Sequence, residues 1–191
     1  DMTVITREEI EKKGASTVDE IFSAVPGLFV QNPLGNPKFS TIDIRGYGES
    51  APSNVLFLID GRRVNNVDIS GADLAQIPVE AIERIEIYKG PATVMFGDNA
   101  MAGAVNIILK KGREKLFLKG SSTAGSSSLL SSAVSASGQS GPFSYFLLGS
   151  AYGTDGYRQN NTLRMKDLFG SFTATVNDRL SLALKTAHHE D

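Results

Sequence analysis

The sequence predicts an α+β unit, built on a small mixed sheet with short helices, followed by a run of antiparallel β-strands. Three observations predict it. Residues 1 to about 112 carry most of the charges and alternate helix-capping signals with short apolar or alternating segments. From Gly120 to Thr154 there is no Asp, Glu, Lys or Arg, only Ser, Gly and Ala interleaved with Leu, Val, Phe and Tyr. Beyond it, side chains alternate apolar and polar along segments of roughly ten residues, the period of a strand rather than a helix. The composition break at Gly112 divides the chain into expected domains of residues 1–112 and 113–191.

In the first part, Met2 to Ile5 reads as a strand. Thr6-Arg7-Glu8-Glu9 fits a capping box, in which the hydroxyl bonds the N3 amide and the glutamate reaches back. Its helix should end at Gly14. Thr17-Val18-Asp19-Glu20 repeats the device for a helix that buries Val18, Ile21, Phe22 and Val25 and stops before Pro26. Asn32 to Lys38 is loop by composition. Thr41 to Arg45 alternates, with Ile42 and Ile44 on one face and Thr41, Asp43 and Arg45 on the other. Val55 to Ile59 is wholly apolar, a buried strand, and Asp60-Gly61 supplies a tight hairpin turn. Asp73 to Ile77 is a helical turn before Pro78. Arg84 to Lys89 alternates again, and Val105 to Leu109 is apolar.

Five strands are expected in the second part: Leu116 to Ala124, Leu129 to Ser137, Phe143 to Tyr152, Asp167 to Val176 and Leu180 to Ala187. Leu168, Phe172, Ala174 and Val176 share a face, which Phe169 interrupts, and Leu180, Leu182 and Leu184 line another. Such strands suit a transmembrane β-barrel. They also suit a soluble β-meander.

Composition excludes several functions. With 19 Lys+Arg against 21 Asp+Glu, no basic excess points to nucleic acid. Without Cys there is no disulfide, thiolate metal site or Cys nucleophile. No apolar run approaches the roughly 20 residues of a membrane-spanning helix. Gly46-Tyr47-Gly48-Glu49-Ser50-Ala51 follows a strand and matches a dinucleotide-binding pattern. That pattern needs a helix directly after the glycines and a long crossover, whereas Pro52 intervenes and a strand starts by Val55. The two histidines, His188 and His189, have only Glu190 and Asp191 beside them in sequence, a weak metal site at best and no His-based triad. No acid, base, nucleophile and metal set converges, so an enzyme is not expected, and no cofactor is implied. Arg45 and Arg84 stand opposite the isoleucines, with Asp43 and Glu86 on their faces. Exposed, such pairs contribute under about 1 kcal/mol. Buried, each arginine would require acidic partners.

Four segments resemble one family. They are TVITREEIEKKGASTVDEIFSAVPGLFV (3–30), IDIRGYG (42–48), VLFLIDGRRVN (55–65) and IERIEIYKGPATVMFGDNAMAGAVNIILKK (82–111). In order and spacing they resemble the plug domain of TonB-dependent outer-membrane receptors. The resemblance implies a plug over residues 1–112 and, over 113–191, the first five or so strands of a roughly 22-stranded barrel whose lumen the plug fills. It implies uptake of a scarce, bulky nutrient, a ferric siderophore, haem or cobalamin, across the outer membrane of a Gram-negative bacterium. The implied partners are the TonB–ExbB–ExbD complex, outer-membrane lipid and a metal-chelate or cobalamin-like ligand. The family's TonB box, which precedes the plug, has no counterpart in these residues. Five strands cannot close such a barrel, so the sequence is expected to be part of a receptor.

Residue by residue, Arg45 and Arg84 match plug arginines that pair with glutamates of the barrel wall, a lock joined by Asp43 and Glu86. The loops at 31–40 and 65–73 match the apices that face substrate. Asn32, Leu34, Asn36, Phe39, Asn65 and Asn66 are the expected lining residues. Gly46, Gly61, Gly90, Gly97 and Gly103 are expected to permit bends and close approach, and Ala92, Ala100, Ala102 and Ala104 to add little bulk. Pro91 is expected to start a helical turn. If the barrel begins on the periplasmic side, Ser126 and 155–164 face outward and Gln139 to Pro142 and Asn177-Asp178 are periplasmic. A soluble plug-like binding or signalling module is the alternative, but exposing the charge-free strands would make it aggregate.

Overall fold

A computed structural model describes residues 2–33, 35, 37–66, 68, 70–112, 115–177 and 180–191, except the side chain of Phe39. The fold divides into two compact units, residues 1–109 and 110–191.

The first unit contains strands β1 (Met2–Thr6), β2 (Leu28–Gln31), β3 (Thr41–Ile44), β4 (Val55–Ile59), β5 (Arg62–Arg63), β6 (Ile82–Lys89) and β7 (Gly103–Leu109). Its helices are α1 (Arg7–Lys13), α2 (Val18–Ser23), α3 (Ala51–Asn54) and α4 (Thr93–Phe96). The main sheet has the order β1-β6-β7-β4-β5, with β4 and β7 parallel and the other pairs antiparallel. This is the mixed sheet the sequence predicts. β2 and β3 form a separate antiparallel ladder.

Local signals explain most boundaries. The Thr6/Glu9 capping box is complete, and α1 ends at Gly14 in the left-handed conformation. The second expected box does not form: Thr17 makes no side-chain cap, and Glu20 instead accepts the Ser16 amide at 2.7 Å. α2 still starts at Val18, because Val18, Ile21 and Phe22 are all buried. Asp60 (φ 49°) and Gly61 (φ 81°) make the expected two-residue hairpin turn between β4 and β5. One helical turn, α3, does form where Pro52 was expected to prevent a helix. It places Pro52 in the first turn, where a missing N–H costs nothing. The turn after Pro91 starts at Thr93, with Ala92 as its cap residue.

Register assigns the two faces of the main sheet. Ile5, Ile85, Ile87, Phe57, Val105 and Ile107 share one face, and Phe22 of α2 meets Phe57 edge to face at 6.2 Å. The opposite face is split. One half holds Leu56, Leu58 and Ala104, packed with Ala92, Ala100, Tyr88 and Phe96. The other half holds Arg84, Glu86 and Asn106. The small-residue segment 90–102 folds back on the apolar half, with the Gly90 amide donating to Ala102 O at 3.0 Å and the Ala92 amide to Ala100 O at 2.8 Å. Alanines there let two backbone segments approach closely.

The second unit is an open antiparallel meander of β8 (Phe117–Ala124), β9 (Leu130–Ser140), β10 (Phe143–Thr154), β11 (Leu163–Asn177) and β12 (Leu180–Glu190). All but the first strand extend beyond their expected ends. Phe169 does not break the alternation. It is buried on the opposite face with Leu163, Met165, Asp167 and Ser171, and its ring lies 6.0 Å from that of Phe146. Leu168, Phe172 and Val176 are exposed. Register sets Leu184 beside Phe172 and Leu182 beside Ala174, so the apolar faces of β11 and β12 coincide. The turn at Gly141 and Pro142 closes one end of the meander. Residues 125–129 and 155–162 close the other, tied where Ser127 O accepts from the Asp155 amide at 2.8 Å and the Thr154 hydroxyl at 3.1 Å. Asn177 ends β11, and the expected turn residue Asp178 lies outside the described residues.

At Gly103 the antiparallel neighbour β6 leaves no room for a side chain. A Cβ there would collide with the Tyr88 carbonyl oxygen and lie 3.0 Å from Ile44 Cδ1. Gly103→Val is therefore expected to destabilise the first unit by roughly 2–3 kcal/mol. Thermal denaturation checks this, with Gly120→Val, whose Cβ meets nothing within 4 Å, as the tolerated control.

Candidate functional site

The loop expected at the first apex is fastened by a buried carboxylate. Asp19 of α2, only 7% exposed, accepts the Ser40 hydroxyl at 2.9 Å and the Asn32 amide at 3.2 Å, both on Oδ2. Its Oδ1 has no hydrogen-bond partner among the described residues. Sequence reasoning put Asp19 only in a helix cap. Its alternation with Val18 and Ile21 gives no hint of burial, because the partners lie 13 and 21 residues away. Leu34 and Asn36 lie outside the described residues, and of Phe39 only the backbone is described, in the 3₁₀ turn Pro37–Phe39.

The second loop is built differently. Asn65 extends the sheet with its side chain: Oδ1 accepts the Phe57 amide at 2.6 Å, and Nδ2 donates to Val55 O at 2.9 Å. Both ends of this amide are committed to backbone. Asn66 closes the loop, its amide donating to Gly71 O at 2.7 Å and its Nδ2 to Ser70 Oγ at 2.9 Å. The Ser70 hydroxyl and amide both donate to Asp68, which holds that carboxyl below the usual carboxylate range.

The two arginines differ. Arg45 lies just past the end of β3 with φ 75°, so it does not continue the alternation the sequence suggests. It is exposed, and its guanidinium rests against Gly90, where a Cβ would approach Nη2 to 3.2 Å. Asp43 is not its partner on an exposed face. Asp43 is buried and accepts the amides of Tyr47 at 2.9 Å and Gly48 at 2.8 Å, stapling the turn around Gly46 (φ 80°). Arg84 does pair with Glu86, Nη2 to Oε1 at 2.8 Å and Nε to Oε1 at 2.9 Å. Glu86 Oε2 accepts Asn106 Nδ2 at 3.1 Å, and Asn106 Oδ1 accepts the Gly61 amide at 3.0 Å. The polar half-face is one network from β6 to the hairpin turn. Beyond Gly97 (φ 83°), Arg63 donates to Asp98 O and Oδ1, both at 2.8 Å, and this contact holds the Asp98 carboxyl below its ordinary range.

In the second unit, the paired histidines part company. His188 stands on the exposed apolar face, and its Nε2 lies 3.5 Å from Glu190. His189 stands on the opposite face, with Nδ1 2.7 Å from Asp167 Oδ1, while Asp167 Oδ2 accepts the Ser150 hydroxyl at 3.1 Å. Adjacent residues of one strand cannot chelate one ion, and no group of three metal-capable side chains occurs among the described residues. Asp167 is a cross-strand partner that sequence adjacency could not reveal.

These features have known relatives. A family model for the TonB-dependent receptor plug domain matches residues 1–104, and the chain belongs to that family. The siderophore receptor PirA from Pseudomonas aeruginosa is similar over 98% of this chain and 33% of its own, at 29% identity and a TM-score of 0.75. The siderophore receptor PirA from Acinetobacter baumannii is similar over 98% of this chain and 31% of its own, at 27% identity and a TM-score of 0.74. P. aeruginosa FpvA, solved bound to a heterologous pyoverdine, shares the fold over 99% of this chain and 25% of its own, at 19% identity and a TM-score of 0.86. The chain thus spans a quarter to a third of the length of these receptors. The family is one of receptors, not enzymes.

Burial separates the roles of neighbouring charges. Asp43→Ala leaves two amide donors without their acceptor and is expected to cost about 2–4 kcal/mol. Arg45→Ala, at an exposed position, is expected to cost under about 1 kcal/mol. Chemical denaturation of the two variants side by side checks the contrast.

Proposed function

We propose that this chain is the plug and first wall strands of an outer-membrane receptor that takes up a ferric siderophore. The carrying observation is the order of the two units: a plug-family domain followed at once by a meander whose exposed face is apolar. The siderophore class is favoured over haem or cobalamin by the similarity to two siderophore receptors, at 29% and 27% identity. In this reading the first unit gates the barrel lumen. Asn32 and Asn66, with Leu34, Asn36 and Phe39, are its candidate ligand-facing residues, whereas Asn65 serves the sheet. Asp19 positions the loop that carries Asn32. The TonB–ExbB–ExbD complex supplies the energy.

Arg45 and Arg84 are the candidate lock between plug and wall. An exposed Arg84–Glu86 pair adds little to stability. It gains importance only if a second carboxylate meets the guanidinium in a drier interface. Charge reversal, Arg45→Glu or Arg84→Glu in the complete receptor, is expected to lower uptake or loosen the plug, read as faster proteolysis. Unchanged uptake and proteolysis in both variants would overturn the lock.

Uptake of radioactive iron by iron-starved cells tests the function itself. Cells lacking the receptor should lose uptake from one class of ferric siderophore, and the complete gene should restore it. Equal uptake from every siderophore offered, together with loss of haem or cobalamin uptake, would reassign the substrate.

A further inference from the structure

One end of the first unit gathers carboxylates. Asp19 of α2 fastens Asn32 and Ser40, which stand at the two ends of the loop between β2 and β3. The 3₁₀ turn of that loop, Pro37–Phe39, packs against a second 3₁₀ turn, Leu74–Gln76, and α2 packs against the second turn as well. Asp73 opens this second turn, accepting the Ala75 amide and the Gln76 side-chain amide, both at 3.0 Å. Asp68 stands exposed in the loop that leads to it. The two loops expected to face ligand therefore meet, and Asp19 stands where α2 joins them.

The charge at this end is one-sided. Lys38 is the single basic residue in loops 31–40 and 65–73, against Asp68 and Asp73 in the loops and Asp19 behind them. Among the described residues, every donor that meets these three carboxylates is neutral. Other cations are committed elsewhere. Lys13 ends on Ile21 O at 3.3 Å. Arg45 and Lys89 lie at the far end of the β2–β3 ladder, past its Leu28–Ile44 pair, where Lys89 donates to Pro26 O at 2.7 Å. The charge on Asp19 is not needed for the fastening it performs, because an amide oxygen in the same place would accept both donors. The carboxylate is more than nine-tenths buried and its Oδ1 meets no donor among the described residues. It carries a desolvation cost that a neutral side chain would avoid.

We propose that this end of the first unit selects a ferric chelate without net negative charge, such as a tris-hydroxamate, and rejects a trianionic tris-catecholate, with Asp19 and Asp68 setting the preference. Like charges brought together on binding weaken the wrong partner. A neutral chelate meets the amides and hydroxyls of the same loops without that repulsion. The inference rests on the siderophore reading above, in which these loops meet the ligand.

The test uses the complete receptor, purified in mild non-ionic detergent and titrated calorimetrically with a ferric tris-hydroxamate and with a ferric tris-catecholate of similar size. At low salt the hydroxamate is expected to bind about tenfold tighter or more, the ratio Coulomb's law gives when three charges meet one at about 10 Å through a largely aqueous medium. The preference should shrink as salt rises. Asp19→Asn and Asp68→Asn each remove a charge while keeping an acceptor oxygen. Each should tighten catecholate binding several-fold and leave hydroxamate binding nearly unchanged, whereas a merely structural role would move both affinities together. Equal or tighter binding of the catecholate by the wild type, or a preference that neither variant changes, would overturn the inference and leave a siderophore receptor standing. Binding of neither chelate would overturn the siderophore reading and the inference with it.

Discussion

The first unit depends on a parallel pairing that no local turn can make. β4 and β7 run side by side from Val55–Gly103 to Ile59–Ile107, and parallel neighbours require a long crossover. The chain supplies it through the hairpin at Asp60-Gly61, the second loop and β6. Everything along that path is held by the pair it encloses. Asn65 donates to Val55 O and accepts from the Phe57 amide, so the crossover's first loop is bonded to the strand it leaves. Asp60 Oδ1 accepts the Leu109 amide at 3.2 Å, so the hairpin turn is bonded to the strand at the crossover's end. A side chain at Gly103, at the pair's first rung, would collide with the Tyr88 carbonyl of β6 and force β7 away from its antiparallel neighbour.

The same sheet shows how one strand serves two purposes. β6 directs Ile85 and Ile87 into the helix-covered core and Arg84 and Glu86 to the opposite face. The apolar contacts there dominate stability, because fully burying an isoleucine yields about 1.5–3 kcal/mol. The ion pair, with Arg84 45% exposed, yields much less. Its chain of contacts through Asn106 to Gly61 aligns polar groups across three elements at little energetic gain.

Much of this was legible. Periodicity placed β4, β6, β7 and the five strands of the second unit, since each buries or exposes a whole face. Capping chemistry placed α1 and its end at Gly14, and the Asp-Gly pair placed the hairpin. The missed features share a physical cause: their partners are distant in sequence. Asp19 reads as a helix-start residue until Asn32 and Ser40 are seen on its carboxylate. Asp43 reads as an exposed strand charge, yet the turn at Gly46 folds two amides onto it. Arg45 leaves the strand pattern because its own φ is positive, which propensity for an arginine would not suggest. His189 is paired by cross-strand register with Asp167, whereas adjacency suggested His188. Local chemistry reveals elements; polar burial is decided by topology.

The second unit makes the strongest physical demand. In water, the row of Leu182, Leu184, Phe172, Leu168 and Leu147 would be an exposed apolar band on an open sheet with unpaired edges, the usual template for aggregation. The charges confirm the sorting. Asp167 and His189 pair with each other on the opposite face. Lys166, Arg164, His188 and Glu190 share the apolar face but cluster at one end of it. Their crowding at that end, with none of the described residues of the band between Leu168 and Val176 charged, is the arrangement a hydrocarbon layer with one charged boundary would select. A soluble sheet has no reason to segregate charge along its strands in this way, because water bathes both ends equally. In the proposed reading, the placement of charge along the strand, rather than the alternation across it, is the feature that favours a membrane wall over a meander in solution.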